Sequence, residues 1–236
     1  MNTNELNSLI ERVKDYLQEN RFQDAASSLK TISKQWPDEP QVLNLTGVLN
    51  FKIGDYSKAI EAFNQCLSVQ PKNIEILNNL SLTYQRIGNY SKARSAAITA
   101  VDTNKHHVNS YMNLMSIELA QKKYQSVEKL YKQVEKLPSG IKCNIIAASA
   151  YKSMGRPSEA KNLLRSYLSS YTNDPNALNN LANIEREEGN FKDAKRTFEI
   201  LLQNNPNFTA AKLNLAITLD SLDEFEAAER LLLSLT

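Results

Sequence analysis

A chain of 236 residues, 42% hydrophobic and 23% charged, carries enough apolar material for a substantial core. Only 6 Gly and 7 Pro leave little room for the turn density of a β-rich protein. A formal net charge of +2 is too small to make nucleic acid the main partner.

Two stretches set the register of everything else. LNNLSLTYQRIGNYSKARSAA begins at Leu77, and LNNLANIEREEGNFKDAKRTF begins at Leu178, 101 residues later. Near-identical phrases at such a distance mark a repeated packing unit rather than an active site. In chain order the phrase occurs seven times. Unit one (6–39) opens near Leu6, carries Asn20, Phe22 and Ala25, and closes around Pro37. Unit two (40–73) opens at Pro40. Its apolar periodicity predicts one helix through VLNLTGVLNFKI, a turn at Gly54-Asp55, and a second helix, YSKAIEAFNQCLSV, stopped by Pro71. Unit three (74–107) repeats the pattern with Gly88, Tyr90 and Ala93. Unit four (108–140) holds Lys122, Tyr124 and Val127, is one residue short of the 34-residue period, and ends in Leu137-Pro138-Ser139-Gly140. Units five (141–174), six (175–208) and seven (209–236) carry Gly155, Pro157 and Ala160; Gly189, Phe191 and Ala194; and Asp223, Phe225 and Ala228.

Each unit therefore reads as two helices around a turn former, Lys122 excepted. Small residues recur at the eighth place, as Gly47, Ser81, Ala148, Ala182 and Ala216. They sit opposite the alanines named above, because helix axes roughly 8–10 Å apart admit only small side chains at the crossing. The aromatics, with Leu80, Leu114, Leu181 and Leu215, are expected to fill the space between neighbouring units.

At these spacings the pattern Leu-Gly/Ala, Tyr, Gly-x-Tyr, Ala, Phe, Ala, Pro resembles the tetratricopeptide repeat. Pro40–Asn73 matches best, with Gly47, Gly54, Tyr56, Ala59, Phe63 and Pro71 in place, and the resemblance covers almost the whole chain. It implies an all-α fold, a TPR-type α-solenoid: a right-handed superhelix of about seven antiparallel helix pairs whose first helices line a concave groove. Stacking is obligatory in such arrays, because one pair cannot bury its own apolar faces. Unit four departs from the pattern, with Met115 and Val127 at both small places and Lys122 where Gly is usual. Either this is drift in a tolerant repeat, or the superhelix changes pitch near 108–141. A second departure is the ending RLLLSLT, where Leu231, Leu232, Leu233 and Leu235 are expected to leave apolar surface exposed. Continuation of the chain past Thr236 is the favoured account, and packing on a partner or a second copy is the other.

The search for chemistry returns little. His106 and His107 are adjacent in a link, with no Cys or His at ligand spacing, and read as surface loop. Cys66 lies at a small place in a second helix and reads as a buried inert thiol. Cys143 starts unit five, too far from Cys66 for a disulfide. There is no phosphate-binding glycine loop and no nucleophile elbow, and Glu187-Glu188 and Asp223-Glu224 look solvated. We expect no catalytic residue, metal or cofactor. The polar start MNTNELNSLI shows no export signal, and no apolar run approaches the roughly 20 residues that span a bilayer. Two cysteines make no disulfide framework, so a soluble, cytoplasmic protein without membrane insertion is expected.

Function is expected on the groove. First-helix places two, five, six, nine, twelve and thirteen would face it. The sixth place holds Asn79, Asn113, Asn180 and Asn214, and an amide can satisfy both the N–H and the C=O of an extended peptide. This resembles the asparagine ladder of O-linked N-acetylglucosamine transferase arrays, although Glu11, Leu45 and Ile146 interrupt it in units one, two and five. Lys52, Arg86, Lys152 and Arg186 add a cationic strip at places twelve and thirteen, with Lys142 and Asn183 from places two and nine. Such a strip favours an acidic segment. Phe51, Leu82, Met112, Leu119 and Ile145 could form side-chain pockets. The clamp that holds acidic chaperone tails is not matched, since of its five residues only Asn113 and Lys142 are present. The expected function is a non-catalytic scaffold binding an extended protein or peptide segment. The alternative is the recognition array of a larger sulfotransferase or glycosyltransferase, and a third reading is self-association through the C-terminal edge.

Overall fold

The computed structural model describes residues 3–234, with the side chain of Thr3 excepted. The expected exposure of Leu235 lies outside the described residues. Fourteen α-helices and one short 3-10 helix make up the described fold, and no strand occurs among these residues. In order they are α1 (Thr3–Gln18), α2 (Phe22–Gln35), α3 (Pro40–Lys52), α4 (Tyr56–Val69), α5 (Ile74–Arg86), α6 (Tyr90–Thr103) and α7 (Val108–Ala120). There follow α8 (Tyr124–Val134), the 3-10 helix (Gly140–Cys143), α9 (Asn144–Ser153), α10 (Pro157–Ser170), α11 (Pro175–Glu187), α12 (Phe191–Asn204), α13 (Thr209–Asp220) and α14 (Phe225–Leu233). The chain divides into two compact units, one up to Ile117 and one from Glu118 on.

The turn between the two helices of each pair has one construction throughout. Asn20, Gly54, Gly88, Lys122, Gly155, Gly189 and Asp223 all have φ between 58° and 84°. These are the seven turn positions of the sequence repeat. The residue after each donates its N–H to a carbonyl five residues back, as in Asp55 to Asn50 at 2.9 Å and Lys123 to Glu118 at 2.9 Å. This is the left-handed helix stop that suits glycine, because a Cβ is crowded there. Two of the following helices start on a side-chain cap: the carboxylate of Asp55 and the amide oxygen of Asn89 accept the N–H of Lys58 and Lys92, both at 3.2 Å.

In the unit up to Ile117, the core runs from Leu6, Ile10, Val13 and Leu17 of α1 through Ala25, Leu29 and Ile32 of α2 to Val42, Leu45 and Leu49 of α3. A second cluster joins Ala59, Phe63 and Cys66 of α4 to Ile76 and Leu80 of α5. The eighth place behaves as its size requires. A Cβ on Gly47 would lie 2.6 and 2.8 Å from ring atoms of Phe63, and Ser81 is fully buried, donating to the Ala93 carbonyl at 2.9 Å. Met115 at the same place is also fully buried.

In the unit from Glu118 on, Ala148, Tyr151, Ala160, Leu164, Tyr167, Ala177, Leu181 and Ile184 form one cluster. Leu178, Ala182, Ala194, Phe198, Leu201 and Ala211, with Leu215, Ala216, Leu219 and Ala228, form the other. The expected first helix of unit five is shortened. α8 stops at Val134, and Ser139, at φ 67°, leads into the 3-10 helix, so Lys142 sits in that helix rather than on a regular first-helix face. Asn144 pins the detour: its amide oxygen accepts from the Tyr131 hydroxyl at 2.9 Å, and its NH2 donates to the Leu163 carbonyl at 3.0 Å. Arg156 ties the same region. Its guanidinium lies 4.4 Å over the Tyr151 ring, contacts Glu128 at 3.1 Å and forks onto Glu159 through two 2.6 Å bonds. At the last helix Leu232 and Leu233 are exposed as expected, whereas Leu231 packs against the core.

Candidate functional site

On the first-helix face of the unit up to Ile117, α3 packs against both α1 and α5. The amides of this face are tied to one another. Asn79 donates to the Asn44 oxygen at 3.1 Å, and Asn44 donates to Glu75 at 2.7 Å. Asn113 donates to the Asn78 oxygen at 3.2 Å, and Asn78 donates to the buried Ser110 hydroxyl at 3.1 Å, which meets His107 Nδ1 at 2.8 Å. The rule is regular: a sixth-place amide gives a proton to the fifth-place amide 35 residues earlier. Half the donor capacity of Asn79 and Asn113 is therefore used within the protein. His107 is a half-buried member of this network, while His106 is exposed, so only the latter is plain surface loop. Lys52 and Arg86 are exposed and form no ion pair among the described residues.

The face made by α9, α11 and α13 differs. Ile145 stands 35 residues before Asn180, where unit three has an amide, and the Asn180 side chain has no hydrogen bond among the described residues. Asn183 and Asn214 are likewise unpaired and half-buried. Asn179 stands 35 residues before Asn214, yet its Oδ1 is buried without a partner, as is Arg186 Nε. Asn179, Asn183 and Arg186 follow one stripe of α11, at i, i+4 and i+7. Lys152 is not a free cation: it pairs with Glu187 at 2.7 Å. The acidic turns expected to be solvated are paired as well, Glu188 with Lys161 and Glu224 with Lys195 at 2.6 Å.

The sequence marks the fifth place as groove-facing, but only the sixth-place amides stand out as a row. Asn44 and Asn179 were missed as members of the polar face, and Asn78 entered only as part of the rejected clamp. The available signal was the 35-residue spacing of Asn44 to Asn79, Asn78 to Asn113 and Asn179 to Asn214.

Both thiols are buried and free; burial pushes Cys143 up to about 11 and raises Cys66 as well. Among the described residues no group of three His, Cys, Asp or Glu is placed to hold a metal ion, and no helix is long and apolar enough to cross a membrane.

These features define a helical repeat protein of two-helix units with a polar first-helix face. Family models described as "Tetratricopeptide repeat" match residues 10–72 and 147–194, residues 62–95, and residues 185–236. The chain belongs to the tetratricopeptide repeat family. A curated relative, the tetratricopeptide repeat-containing protein trd-1 of Caenorhabditis elegans, is 25% identical over 103 residues, covering 44% of this chain and 13% of that protein. The matched stretch is thus a small part of a much longer relative. Among solved structures, a tetratricopeptide repeat protein from Parabacteroides merdae aligns with TM-score 0.74 at 20% identity, over 94% of this chain and 89% of that one. YrrB, described as "a TPR protein with an unusual peptide-binding site", aligns with TM-score 0.55 at 15% identity, over 74% and 90% of the two chains. At these identities the likeness shows the fold. The fold points to a protein–protein interaction scaffold.

Proposed function

We propose that the chain binds an extended protein segment along its first-helix faces, and that α11 and α13 contribute the main polar contacts. One observation carries this reading: among the described residues the side chains of Asn180, Asn183 and Asn214 on that face have no hydrogen-bond partner, nor do the buried Asn179 Oδ1 and Arg186 Nε. The half-buried amides Asn180, Asn183 and Asn214 each offer a donor and an acceptor to the main chain of such a segment. Arg186 favours carboxylates in the segment. The peptide-binding site named for YrrB agrees with this reading without assigning residues here. A cytoplasmic setting fits the two free thiols. The transferase alternative draws support from no residue of this chain.

The test is capture of partners from lysate on the intact chain and on an Asn180→Ala, Asn183→Ala double variant. Neither side chain is bonded, so the melt should hold while capture falls about five- to ten-fold. Equal capture would remove the amides from the account.

Self-association has one observation in its favour: Ile217, Phe225, Leu232 and Leu233 are 51%, 59%, 46% and 64% exposed. Light scattering across a concentration series decides it; a constant monomer mass ends that reading.

A further inference from the structure

The first-helix face of the unit up to Ile117 holds a feature of a different kind, an open apolar cavity of about 250 Å³. Val48, Phe51, Phe63 and Leu82 give it an apolar lining, and Lys52 and Asn79 add the polar residues. Gly47 has no side chain, and the Phe63 ring takes the space that a Cβ would occupy. Phe51 then stands at the twelfth place, held edge-on by Tyr56 at 5.7 Å between ring centroids. That place holds Gln85, Leu119, Lys152, Arg186 or Asp220 in the five units that follow. The aromatic wall therefore belongs to unit two and is not a general property of the repeat.

One charged residue, Lys52, lines this cavity, and Arg86 holds the corresponding place one repeat further on. Among the described residues neither Lys52 nor Arg86 forms an ion pair, and Arg86 stands at the same thirteenth place on the adjoining helix, whose axis packs roughly 8–10 Å away. The amide oxygen of Asn79 stays available, since its bond to Asn44 uses the NH2. An apolar recess keeps water at a disadvantage, and uncompensated cations beside it select what fills it.

Resting on the reading above that an extended segment lies along these helices, we propose that this cavity receives one large apolar side chain, aromatic or leucine-sized, from a segment that carries carboxylates beside it. The side chain enters between Val48, Phe51 and Leu82 onto the Phe63 ring. A flanking carboxylate meets Lys52, the next one reaches Arg86, and the Asn79 oxygen takes a main-chain N–H. The site thus recognises an acidic-apolar-acidic pattern, where α11 reads main chain and charge.

The probes are blocked pentapeptides with a central phenylalanine between acidic residues, the same peptide with central alanine, and one with lysines in place of the acids. Each is titrated into the full chain, with binding followed by fluorescence anisotropy and by the methyl resonances of Val48 and Leu82. The phenylalanine peptide should bind about ten-fold or more tightly than the alanine peptide, shift both methyls, and lose most of its advantage over the lysine peptide in Lys52→Glu. Phe51→Ala should abolish the preference for phenylalanine. Because Phe51 also packs on Tyr56, the surface variant Lys52→Glu keeps the test decisive if Phe51→Ala does not fold. Equal binding of the phenylalanine and alanine peptides, or unmoved Val48 and Leu82 methyls, overturns the cavity assignment. Binding that shifts only α11 resonances overturns it while leaving the groove reading intact.

Discussion

Replacing Gly140 by alanine tests how the chain is rerouted between α8 and α9. Gly140 is buried, and a Cβ there would overlap the carbonyl oxygen of Val134 and lie 3.0 Å from its carbonyl carbon and 3.2 Å from that of Glu135. These are backbone atoms at the end of a helix, so no side chain can swing aside. Either α8 must retract or the 3-10 helix must lift, and lifting it endangers the Asn144 bonds to Tyr131 and Leu163. Overpacking of this kind costs about 1–3 kcal/mol, at the upper end where only backbone can yield. Against it stands about 0.4–1 kcal/mol gained by restricting the unfolded chain. The expected loss is about 2 kcal/mol, which lowers the melting midpoint by about 4–8 °C for a chain of this size. Circular dichroism during heating measures it, and hydrogen exchange should place the loosening at residues 134–144. Gly54→Ala is the control. Its Cβ meets nothing within 4 Å, but φ of +84° strains it, for about 1 kcal/mol. A Gly140→Ala midpoint within a degree of wild type would refute the close approach.

Three further outcomes follow from the same structure. Lys122 occupies the left-handed turn at φ 58°, so Lys122→Gly should raise stability by about 1 kcal/mol, read from urea denaturation; a loss would mean that the turn tolerates a side chain freely. Asn113→Ala should cost about 0.5–1.5 kcal/mol, because Asn113 donates to Asn78, whereas the unbonded Asn180→Ala should cost little; equal costs would deny the amide relay. Arg156 holds Glu159 below the usual carboxylate range and, after Lys132, does the same for Glu128. A lowered folded pKa gives stability that is complete above the unfolded value, about 4.3, and lost as pH falls through the folded value. The urea midpoint of Arg156→Met should therefore fall less steeply than wild type between pH 6 and pH 3, and parallel slopes would count against the ion pairs.

The helices and turns were legible because each is dictated locally. A helix stop with φ above zero asks for Gly, Asn or Asp, and a crossing asks for Gly, Ser or Ala, so both leave a mark at fixed spacing. Lys122 was legible as an anomaly for the same reason. The 3-10 helix was not: a one-residue deletion in sequence does not say whether α8, the link or α9 absorbs it, and the answer depends on Gly140 lying against Val134. Lys142 was displaced with it. The amide pairs and the long-range ion pairs of Lys152, Lys161 and Lys195 escaped because they join residues 27–35 positions apart. Charge patterning within one helix, which works at three and four residues, does not reach that far.

The amide relay from Asn79 to Asn44 and from Asn113 to Asn78 has a consequence for how α3, α5 and α7 are keyed. Leucines facing leucines tolerate a helix sliding by a residue, since one greasy contact replaces another. An amide does not, for a slip would strand Asn44 or Asn78 opposite a methyl group with its oxygen unmet. Each pair therefore acts as a pin in a lock, setting the axial offset of one rod against the next, and where Ile145 stands 35 residues before Asn180 that pin has been withdrawn.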